Sequence, residues 1–388
     1  MRALLPFPLL AIAAAPVPAP VSTLVADTEA RWVPFDLTPG NQIRFLMTVD
    51  GRPATAILDT GVSTSVLSRR FAAANGLAVG AGGRAATIGG TVDVGTVATA
   101  SLAAGGMVRT GGSLAVVDLP ATATGSAEAV DLLVGRDLTA AFALDIDYRQ
   151  RRFRFLRSGR MPFAGVTAPL AIAPDRQVYV SAVTIGGQQL RPVVVDTGDG
   201  SAVTLSGPAW AQAKVAPATV TSTMSYGIAG AVTSDLAIVP ALAVGQAAAR
   251  EVEVRIEPAG GFSETIGVAG RIGSGFLQRY RVLLDPTAGH MLLAAEPDAA
   301  AGPVRSTSGL LLGLARDRLR VLHVMRGGPA AAAGWREGET ICAVDGVAVS
   351  PAYAAGPAAR WVTGAPGTVV TLRLCGGQER RLTLRRFY

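Results

Sequence analysis

Residues 56–65 read AILDTGVSTS, and residues 193–202 read VVVDTGDGSA. In both stretches three apolar residues lead into Asp-Thr-Gly, which predicts a buried strand that ends in a sharp turn. The glycine lets the backbone turn tightly, so its amide can come close to the aspartate carboxylate. A single loop of this kind would be ordinary turn composition. Two of them, carrying Asp59 and Asp196, indicate a site built from a repeated unit.

The surroundings of the two loops are repeated as well. Residues 43–49 and residues 179–185 are predicted strands, each followed by an Asp-Gly or Gly-Gly turn and then by the strand that leads to Asp-Thr-Gly. The interval between the two aspartates agrees to within one residue with the interval from Gly135 to Gly273. These glycines close a Leu-Val-Gly and an Arg-Ile-Gly segment. We therefore predict two copies of one β-rich unit.

The repeat and the composition of the two chain ends predict a domain plan. In chain order, the plan is a signal peptide at 1–26, a first lobe at 27–165, a second lobe at 166–298, a Pro-, Ala-, Gly- and Ser-rich linker at 299–308 and a third unit at 309–388. The expected fold class is mainly β: two tandem β-barrel lobes followed by a smaller α+β module.

A pair of neighbouring carboxylates predicts one kind of chemistry. Two such groups cannot both ionise at low cost, so they share one proton. The ionised member can take a proton from a trapped water molecule, while the protonated member polarises a carbonyl group. Asp59 and Asp196 could therefore hydrolyse a peptide bond without a serine or cysteine nucleophile.

The two hydrophobic-Asp-Thr-Gly loops, each followed about 75 residues later by a hydrophobic-hydrophobic-Gly segment, resemble the retropepsin and pepsin group of aspartic peptidases over roughly residues 30 to 298. The resemblance implies two facing β-barrel lobes fused in one chain, with Asp59 and Asp196 as the catalytic pair. It assigns the scaffold of the active site to Thr60, Gly61, Ser63, Thr197 and Gly198. Two positions depart from the pattern: Gly200 stands where the first copy has Ser63, and Asp199 adds a negative charge beside the pair.

The resemblance also implies a flap, a glycine-containing hairpin that closes over bound peptide. In the first copy Gly89 and Gly90 occupy the corresponding place, and in the second Tyr226 and Gly227 do. Tyr226 resembles the flap tyrosine of the single-chain enzymes. The alternative for each segment is an ordinary surface hairpin.

The third unit resembles a bacterial PDZ domain. Residues 327–335 (GGPAAAAGW) match its short helix with a glycine stop, and residues 338–346 (GETICAVDG) match its strand and tight turn. PDZ domains bind an extended peptide, often a C-terminus, as an added strand. The resemblance assigns peptide binding to Leu312, Gly313 and Leu314. The alternative is a module that packs on the protease and binds nothing.

The N-terminus has the pattern of a secretory signal. Arg2 precedes a short apolar run and small residues, which predicts export to the periplasm or the medium, with an uncleaved membrane anchor as the alternative. Residues 3–15 are too short for a comfortable membrane span. Cys342 and Cys375 are the only cysteines, and we expect two buried free thiols rather than a disulfide bridge.

The charge of the chain does not indicate a nucleic-acid partner. The net charge is +7, but the densest arginine cluster, residues 149–157, alternates with apolar residues and predicts a strand with a solvated face. The sequence predicts no cofactor, no metal site and no stable membrane span once the signal is removed. It predicts an exported aspartic endopeptidase that acts on peptides or proteins, with a C-terminal peptide as a further ligand of the third unit. The alternative is a catalytically inactive peptide-binding scaffold with the same fold.

Overall fold

The computed structural model describes residues 19–124, 129–216, 219–353 and 356–388. The chain is mainly β, as the sequence predicts, because short runs of β-branched and apolar residues are divided at close intervals by glycine turns. Most of the predicted signal peptide, residues 1–18, lies outside the described residues. No helix in the described part of the chain is long and apolar enough to span a membrane.

The first half of the chain supplies all the strands of a ten-stranded sheet. Its elements, in chain order, are β1 (Val21–Leu24), a 3-10 helix (Thr28–Ala30), β2 (Val33–Pro34), β3 (Asp36–Leu37), β4 (Ile43–Val49), β5 (Arg52–Leu58), β6 (Val66–Ser68), α1 (Arg69–Ala74), β7 (Arg84–Thr87), β8 (Gly90–Asp93), β9 (Gly95–Ala98), β10 (Ser101–Ala104), β11 (Met107–Thr110), β12 (Ser113–Val117), a 3-10 helix (Ala121–Thr124), β13 (Leu132–Val134), α2 (Arg136–Thr139), β14 (Ala143–Asp147) and β15 (Arg152–Leu156). The strands β7 and β8 form a separate hairpin.

The second half forms an eight-stranded sheet of similar plan. Its elements are β16 (Val166–Pro169), β17 (Ala171–Ile172), β18 (Tyr179–Ile185), β19 (Gln188–Asp196), β20 (Val203–Leu205), α3 (Gly207–Ala213), β21 (Val220–Gly227), β22 (Gly230–Val244), β23 (Ala247–Ile256), α4 (Phe262–Thr265), β24 (Gly270–Gly273), α5 (Ser274–Leu277), β25 (Tyr280–Asp285) and β26 (His290–Ala295).

The repeat seen in the sequence has a direct counterpart in strand pairing. In the first copy, β5 leads to Asp-Thr-Gly and pairs in parallel with β13, which in turn pairs antiparallel with β6, the strand after the loop. In the second copy, β19, β24 and β20 are paired in the same way. Both β13 and β24 lead into the later glycine segment. Even the helix caps repeat: the hydroxyls of Ser68 and Ser206 accept hydrogen bonds from the first turns of α1 and α3.

A six-stranded sheet contains strands from both halves of the chain. Its order is β16-β26-β25-β14-β15-β2, and β14 pairs antiparallel with β25 along Leu144↔Leu284 and Ile146↔Val282. The buried apolar side chains of both halves form one continuous cluster across this sheet. Of the arginine cluster, Arg154 is half buried, pairs with the buried Asp145 at 2.9 Å and stacks over Trp32.

The third unit has its own sheet and its own apolar core. Its elements are β27 (Leu310–Ala315), β28 (Arg318–Val324), α6 (Pro329–Ala332), β29 (Thr340–Val344), β30 (Val347–Ala348), a 3-10 helix (Pro357–Thr363), β31 (Val369–Leu374) and β32 (Glu379–Thr383). The strand order is β27-β28-β29-β31-β32, so β27 lies at an edge.

The expectation of two buried free thiols is wrong. Cys342 and Cys375 form a disulfide bond, and neither residue is buried. The reason is strand pairing that the sequence alone does not reveal. Because β29 and β31 are antiparallel neighbours with a register shift beside Cys342, the two Cα atoms come within 4.9 Å, which is inside the range that a disulfide spans.

The first described strand overlaps the predicted signal peptide. Val21–Leu24, strand β1, pairs antiparallel with β11 and thereby extends the first sheet. A cleavage point before Val21 would leave this strand with the mature chain, whereas cleavage after Ala26 would remove it. The signal peptide and its cleavage point stay predictions.

Candidate active site

The two Asp-Thr-Gly loops lie against each other and exchange hydrogen bonds through their threonines. The Thr60 hydroxyl donates to the Val195 carbonyl at 2.7 Å and accepts from the Thr197 amide at 3.0 Å. The Thr197 hydroxyl donates to the Leu58 carbonyl at 2.7 Å and accepts from the Thr60 amide at 3.1 Å. Both threonines are fully buried, so these four bonds form a rigid clamp between the loops.

The clamp brings the two aspartates face to face. The Asp59 and Asp196 side chains are within hydrogen-bonding contact of each other. Each carboxylate accepts a bond from the amide two residues on, Gly61 for Asp59 at 3.1 Å and Gly198 for Asp196 at 2.9 Å. Each glycine also lies against the opposite carboxylate, where a Cβ atom would clash. The pairing predicted from the sequence is therefore present in the geometry.

The environment raises the pKa of both carboxyl groups. Burial and the charge of Asp196 raise the pKa of Asp59 well above its usual value. Burial and the charge of Asp199 raise the pKa of Asp196 to about 6, while the Arg271 guanidinium opposes this rise. Two buried carboxyls in contact hold one proton between them over a wide pH range.

A buried ion cluster (Asp199, Glu257 and Arg271) adjoins Asp196. The Arg271 Nε lies 3.0 Å from Asp199 Oδ2 and 3.6 Å from Asp196 Oδ2, and its Nη1 lies 2.8 Å from Glu257 Oε1. Burial alone would raise the pKa of Asp199, but Arg271 and then Arg255 hold it well below its usual value. Asp199 is therefore an anion under all ordinary conditions, and Arg271 places a cation beside the pair.

The first copy supports its loop in a different way. The Ser65 hydroxyl donates to Asp137 at 2.6 Å and accepts from the Gly135 amide at 2.9 Å, and Arg109 pairs with Asp137 at 3.3 Å. In the position of Arg271 the first copy has Leu133, as the strand register shows. The two sides of the pair consequently differ in charge, although the backbone plan is repeated.

The role of Arg271 was not predicted, although the sequence contains an indication of it. The segment Arg-Ile-Gly places a charge in a strand that the repeat marks as buried, and a buried arginine requires acidic partners. Its partner Glu257 is 14 residues away in sequence, whereas its partner Asp199, beside the second loop, is 72 residues away. Sequence analysis also missed the loop at residues 38–42, whose Gln42 donates to the Gly198 carbonyl at 2.8 Å and whose Asn41 donates to the Gly200 carbonyl at 3.1 Å.

Gly200, which stands where the first copy has Ser63, lies close to these contacts. Ser63 contributes its backbone carbonyl, which accepts a bond from the Asp137 amide at 3.3 Å. Gly200 packs so closely on the Gly40 carbonyl that a Cβ atom would lie 1.7 Å from its oxygen. A serine at position 200 would therefore not fit without a shift of the 38–42 loop.

The two segments predicted as flaps meet at their tips. Gly89 lies in the turn of the β7–β8 hairpin and Gly90 is the first residue of β8, both with positive φ, and they pack on Ala229 and Gly230 at the end of the β21–β22 hairpin. Gly227 lies against the Ile88 carbonyl, so closely that only a glycine fits. Tyr226 lies close enough to the third unit for the charges of Arg320 and Glu337 to act on its hydroxyl group. Its assignment as a flap tyrosine stays a prediction.

The third unit contacts the β21–β22 hairpin directly. The Ser222 hydroxyl is 2.8 Å from His323 Nε2, and His323 Nδ1 is 2.8 Å from Glu337. The Arg326 guanidinium donates to Asp235 at 3.0 Å, and its backbone carbonyl accepts from Thr221 at 2.8 Å. The third unit is thus joined to one of the two hairpins that meet near the aspartate pair.

The predicted peptide-binding residues of the third unit lie on its edge strand. Leu312, Gly313 and Leu314 belong to β27, which pairs with β28 on one side. Leu314 is exposed, and α6 follows β28 with Gly334 in the left-handed conformation at its end. The strand offers an edge to which a further strand can pair.

One protein family is similar to the part of the chain that contains the first loop. Residues 46–138 match the family model described as aspartyl protease. The matched segment includes the first Asp-Thr-Gly loop and runs into α2. No curated protein matches the chain. Residues 46–138 are thus similar to an aspartyl protease domain.

Proposed function

We propose that the protein is an aspartic endopeptidase whose Asp59 and Asp196 activate one water molecule for hydrolysis of a peptide bond. The observation that carries this proposal is the contact between the two carboxyl groups, held by the threonine clamp and by the two glycines that back onto them. Carboxyls in this arrangement share a proton, which is the state that general acid and base chemistry needs.

The surroundings assign different roles to the two aspartates. Asp196 accepts bonds from the Gly198 and Asp199 amides, and the Arg271 cation lies 3.6 Å away. Asp59 accepts a bond from the Gly61 amide, and burial favours its neutral form. Asp196 is therefore the base in the resting enzyme, and Asp59 carries the proton.

The reaction follows from these roles. Asp196 takes a proton from water as the water oxygen bonds to the peptide carbonyl carbon, and Asp59 gives its proton to the carbonyl oxygen. The product of this step is a neutral tetrahedral diol. In the second step Asp196 gives its proton to the amide nitrogen, Asp59 takes a proton from one hydroxyl, and the C–N bond breaks. One carboxylic acid and one amine are released, and the pair regains its starting protons.

The remaining parts of the chain suggest how substrate reaches the site. The β7–β8 and β21–β22 hairpins act as two flaps, with Gly89, Gly90, Tyr226 and Gly227 at or near their tips. The third unit acts as a PDZ module that adds a peptide C-terminus to the edge strand β27. Its disulfide is compatible with an exported protein of the periplasm or medium, where such bonds persist.

The test is cleavage of a mixed peptide library between about pH 3 and about pH 8. Wild-type protein should cleave, and Asp59→Asn and Asp196→Asn should each reduce the rate by at least about a thousandfold, because each role is lost. Asp36→Asn, a substitution of an exposed aspartate, is the matched control and should keep full activity. A peptide that carries a hydroxyethylene group in place of the scissile bond should inhibit.

Two results would overturn the proposal. If folded wild-type protein cleaves no peptide over this range, the protein is a peptide-binding scaffold with the same fold. If only one of the two asparagine variants loses activity, the two aspartates do not act as a pair.

A further inference from the structure

A cavity of about 330 Å³ adjoins the ion cluster on the side of the second copy. Its walls come from the turn of the β7–β8 hairpin, from β22, and from the segment that runs from the end of β23 through α4. Pockets that hold a ligand group begin at roughly this size. The cavity is therefore large enough for one amino-acid side chain.

The cavity borders the aspartate pair through a single residue. Arg271 lines the cavity, and its Nε lies 3.6 Å from Asp196 Oδ2. The hairpin turn at residues 87–91, proposed above as a flap, forms the opposite wall. A peptide bound at the pair could therefore place one of its side chains in this cavity.

Most polar groups around the cavity already have partners. The Arg271 guanidinium bonds to Asp199, Glu257 and the Ser263 hydroxyl. Glu257 also accepts from the Ser263 amide at 2.8 Å, and Asp199 accepts from the Ser201 amide and the Thr204 hydroxyl. The ion cluster is internally satisfied and holds its shape without a ligand.

Two residues that line the cavity each have a buried polar atom without a hydrogen-bond partner among the described residues. These atoms are Arg255 Nε and Ser234 Oγ. Ser234 is 4% exposed, so its hydroxyl group has little access to hydrogen-bonding water. Both atoms are donors, and buried donors without partners are rare because each costs free energy. The cavity therefore lacks a group that accepts two hydrogen bonds.

The charge of Arg255 is only partly offset. Its contact to Asp199 is 3.5 Å long, and Asp199 is shared with Arg271 at 3.0 Å. Glu253 lies two residues earlier on the same strand face, but burial raises the pKa of its carboxyl, which favours the neutral form. A carboxylate in the cavity would accept a hydrogen bond from Arg255 and would also neutralise its positive charge. A carboxamide would accept the hydrogen bond but would leave the charge in place.

The first copy offers no equivalent site. By strand register, Ala115 and Leu133 occupy the positions of Arg255 and Arg271. Both are apolar residues of the first sheet, and Leu133 is buried. The two arginines beside the cavity are therefore not repeated on the other side of the aspartate pair.

We propose that this cavity is a specificity pocket for an acidic side chain of the substrate, whose carboxylate accepts hydrogen bonds from Arg255 Nε and from the Ser234 hydroxyl. The inference rests on the proposed peptidase function for its substrate class. It further states that Asp or Glu is preferred at one fixed position, on one side of the scissile bond only.

Binding separates this inference from the question of catalysis. The probes are hydroxyethylene-containing peptides in which Glu or Gln is placed at each position on either side of the isostere. At one position the Glu peptide should bind wild-type protein at least about tenfold more tightly than the Gln peptide, the effect expected of one charge-assisted pair. Arg255→Met should abolish this difference. Arg149→Met, at an exposed arginine far from the cavity, should leave it unchanged.

Milder variants guard against misfolding of Arg255→Met. Arg255→Lys keeps the charge and removes the Nε donor, and Ser234→Ala removes the second donor. Each should reduce the Glu preference about threefold to tenfold without changing the affinity for the Gln peptide. Mapping of cleavage sites in the peptide library should show Asp or Glu at the same position.

The outcomes distinguish the two proposals. A Glu preference in binding without any cleavage would support the pocket and overturn the peptidase function. Cleavage or binding with no acidic preference at any position, or with a preference that survives Arg255→Met in a folded protein, would overturn the pocket.

Discussion

Gly198 lies directly against the carboxyl group of Asp59, and a Cβ atom at Gly198 would be 2.3 Å from the Asp59 carboxyl carbon. Gly61 has the same relationship to Asp196, at 2.4 Å. Neither glycine has positive φ, so the requirement is for space and not for a special backbone conformation. Each loop therefore fixes how closely the opposite carboxyl can approach.

Substitution of Gly198 by alanine should separate the pair. The methyl group cannot be accommodated without moving the Asp59 carboxyl, because the contact is far shorter than van der Waals distance. We expect a loss of kcat of at least about a hundredfold, since a displacement of about 1 Å has such effects in active sites. Steady-state peptide cleavage measures it.

Gly83→Ala is the matched control for this experiment. Gly83 has no heavy atom within 4 Å of the added Cβ and no positive φ, so activity should stay within about twofold of wild type. Full activity of a folded Gly198→Ala variant would contradict the close approach of the two loops.

Removal of the Thr197 hydroxyl should weaken the clamp between the halves. Thr197→Ala leaves the Leu58 carbonyl and the Thr60 amide without their buried partner. Each orphaned group costs about 1–3 kcal/mol, so the free energy of unfolding should fall by at least about 2 kcal/mol.

Thr197→Ser distinguishes the contribution of the hydroxyl group from that of the methyl group. It keeps both hydrogen bonds and should cost only about 1 kcal/mol, the contribution of one buried methyl group. Denaturant titration monitored by circular dichroism measures both variants. Equal destabilisation by serine and alanine would show that packing, and not the hydrogen bonds, holds the loops together.

Removal of the charge of Arg271 and removal of the charge of Asp199 should shift the pH profile of activity in opposite directions. Arg271 lowers and Asp199 raises the pKa of Asp196, which stands at about 6. Activity is lost at low pH when Asp196 is protonated, because the pair then holds two protons and has no base. Arg271→Met should therefore move the acidic limb of kcat/KM to higher pH, and Asp199→Asn should move it to lower pH, each by about one unit.

Arg271→Lys is the control for charge in this pair of experiments. Because it keeps a cation beside Asp196, its acidic limb should move less than that of Arg271→Met. Circular dichroism at each pH separates titration from unfolding. Shifts of both variants in the same direction would exclude electrostatic control of Asp196 by these two residues.

Reduction of the disulfide should destabilise the third unit. Cys342 and Cys375 close a loop with a sequence separation of 33 residues, for which loss of the cross-link costs roughly 3–4 kcal/mol in the chain-entropy account. We expect the paired Cys342→Ser and Cys375→Ser variant to unfold at lower denaturant concentration. Thiol titration of denatured wild-type protein should detect no free cysteine, and detection of two would contradict the bridge.

Much of the site follows from local sequence, because the loops repeat. Strand, turn and glycine are specified within ten residues around each aspartate, and the mainly β fold class is visible in the spacing of the glycine turns. Features that depend on distant segments are not visible. Arg271 reaches Asp199 only after β19 and β24 are paired, and the Cys342–Cys375 bridge needs the register of β29 and β31.

The role of Asp199 shows the limit of reasoning from one segment. Its sequence position indicates only a negative charge that makes the pair harder to ionise, and this charge does raise the pKa of Asp196. The guanidinium groups of Arg255 and Arg271, which face it, come from strands more than fifty residues away. The net field at the pair is set by all three charges together.

The six-stranded sheet that contains both β14 and β25 has a consequence for the independence of the two halves. Since each half supplies a hairpin to one hydrogen-bonded layer, an isolated half would expose the edge of β14 or β25 to solvent and to other chains. A gene cut between the halves should yield fragments that are soluble only when produced together. Because the two halves are fused in one chain, each covers the strand edge through which the other would self-associate.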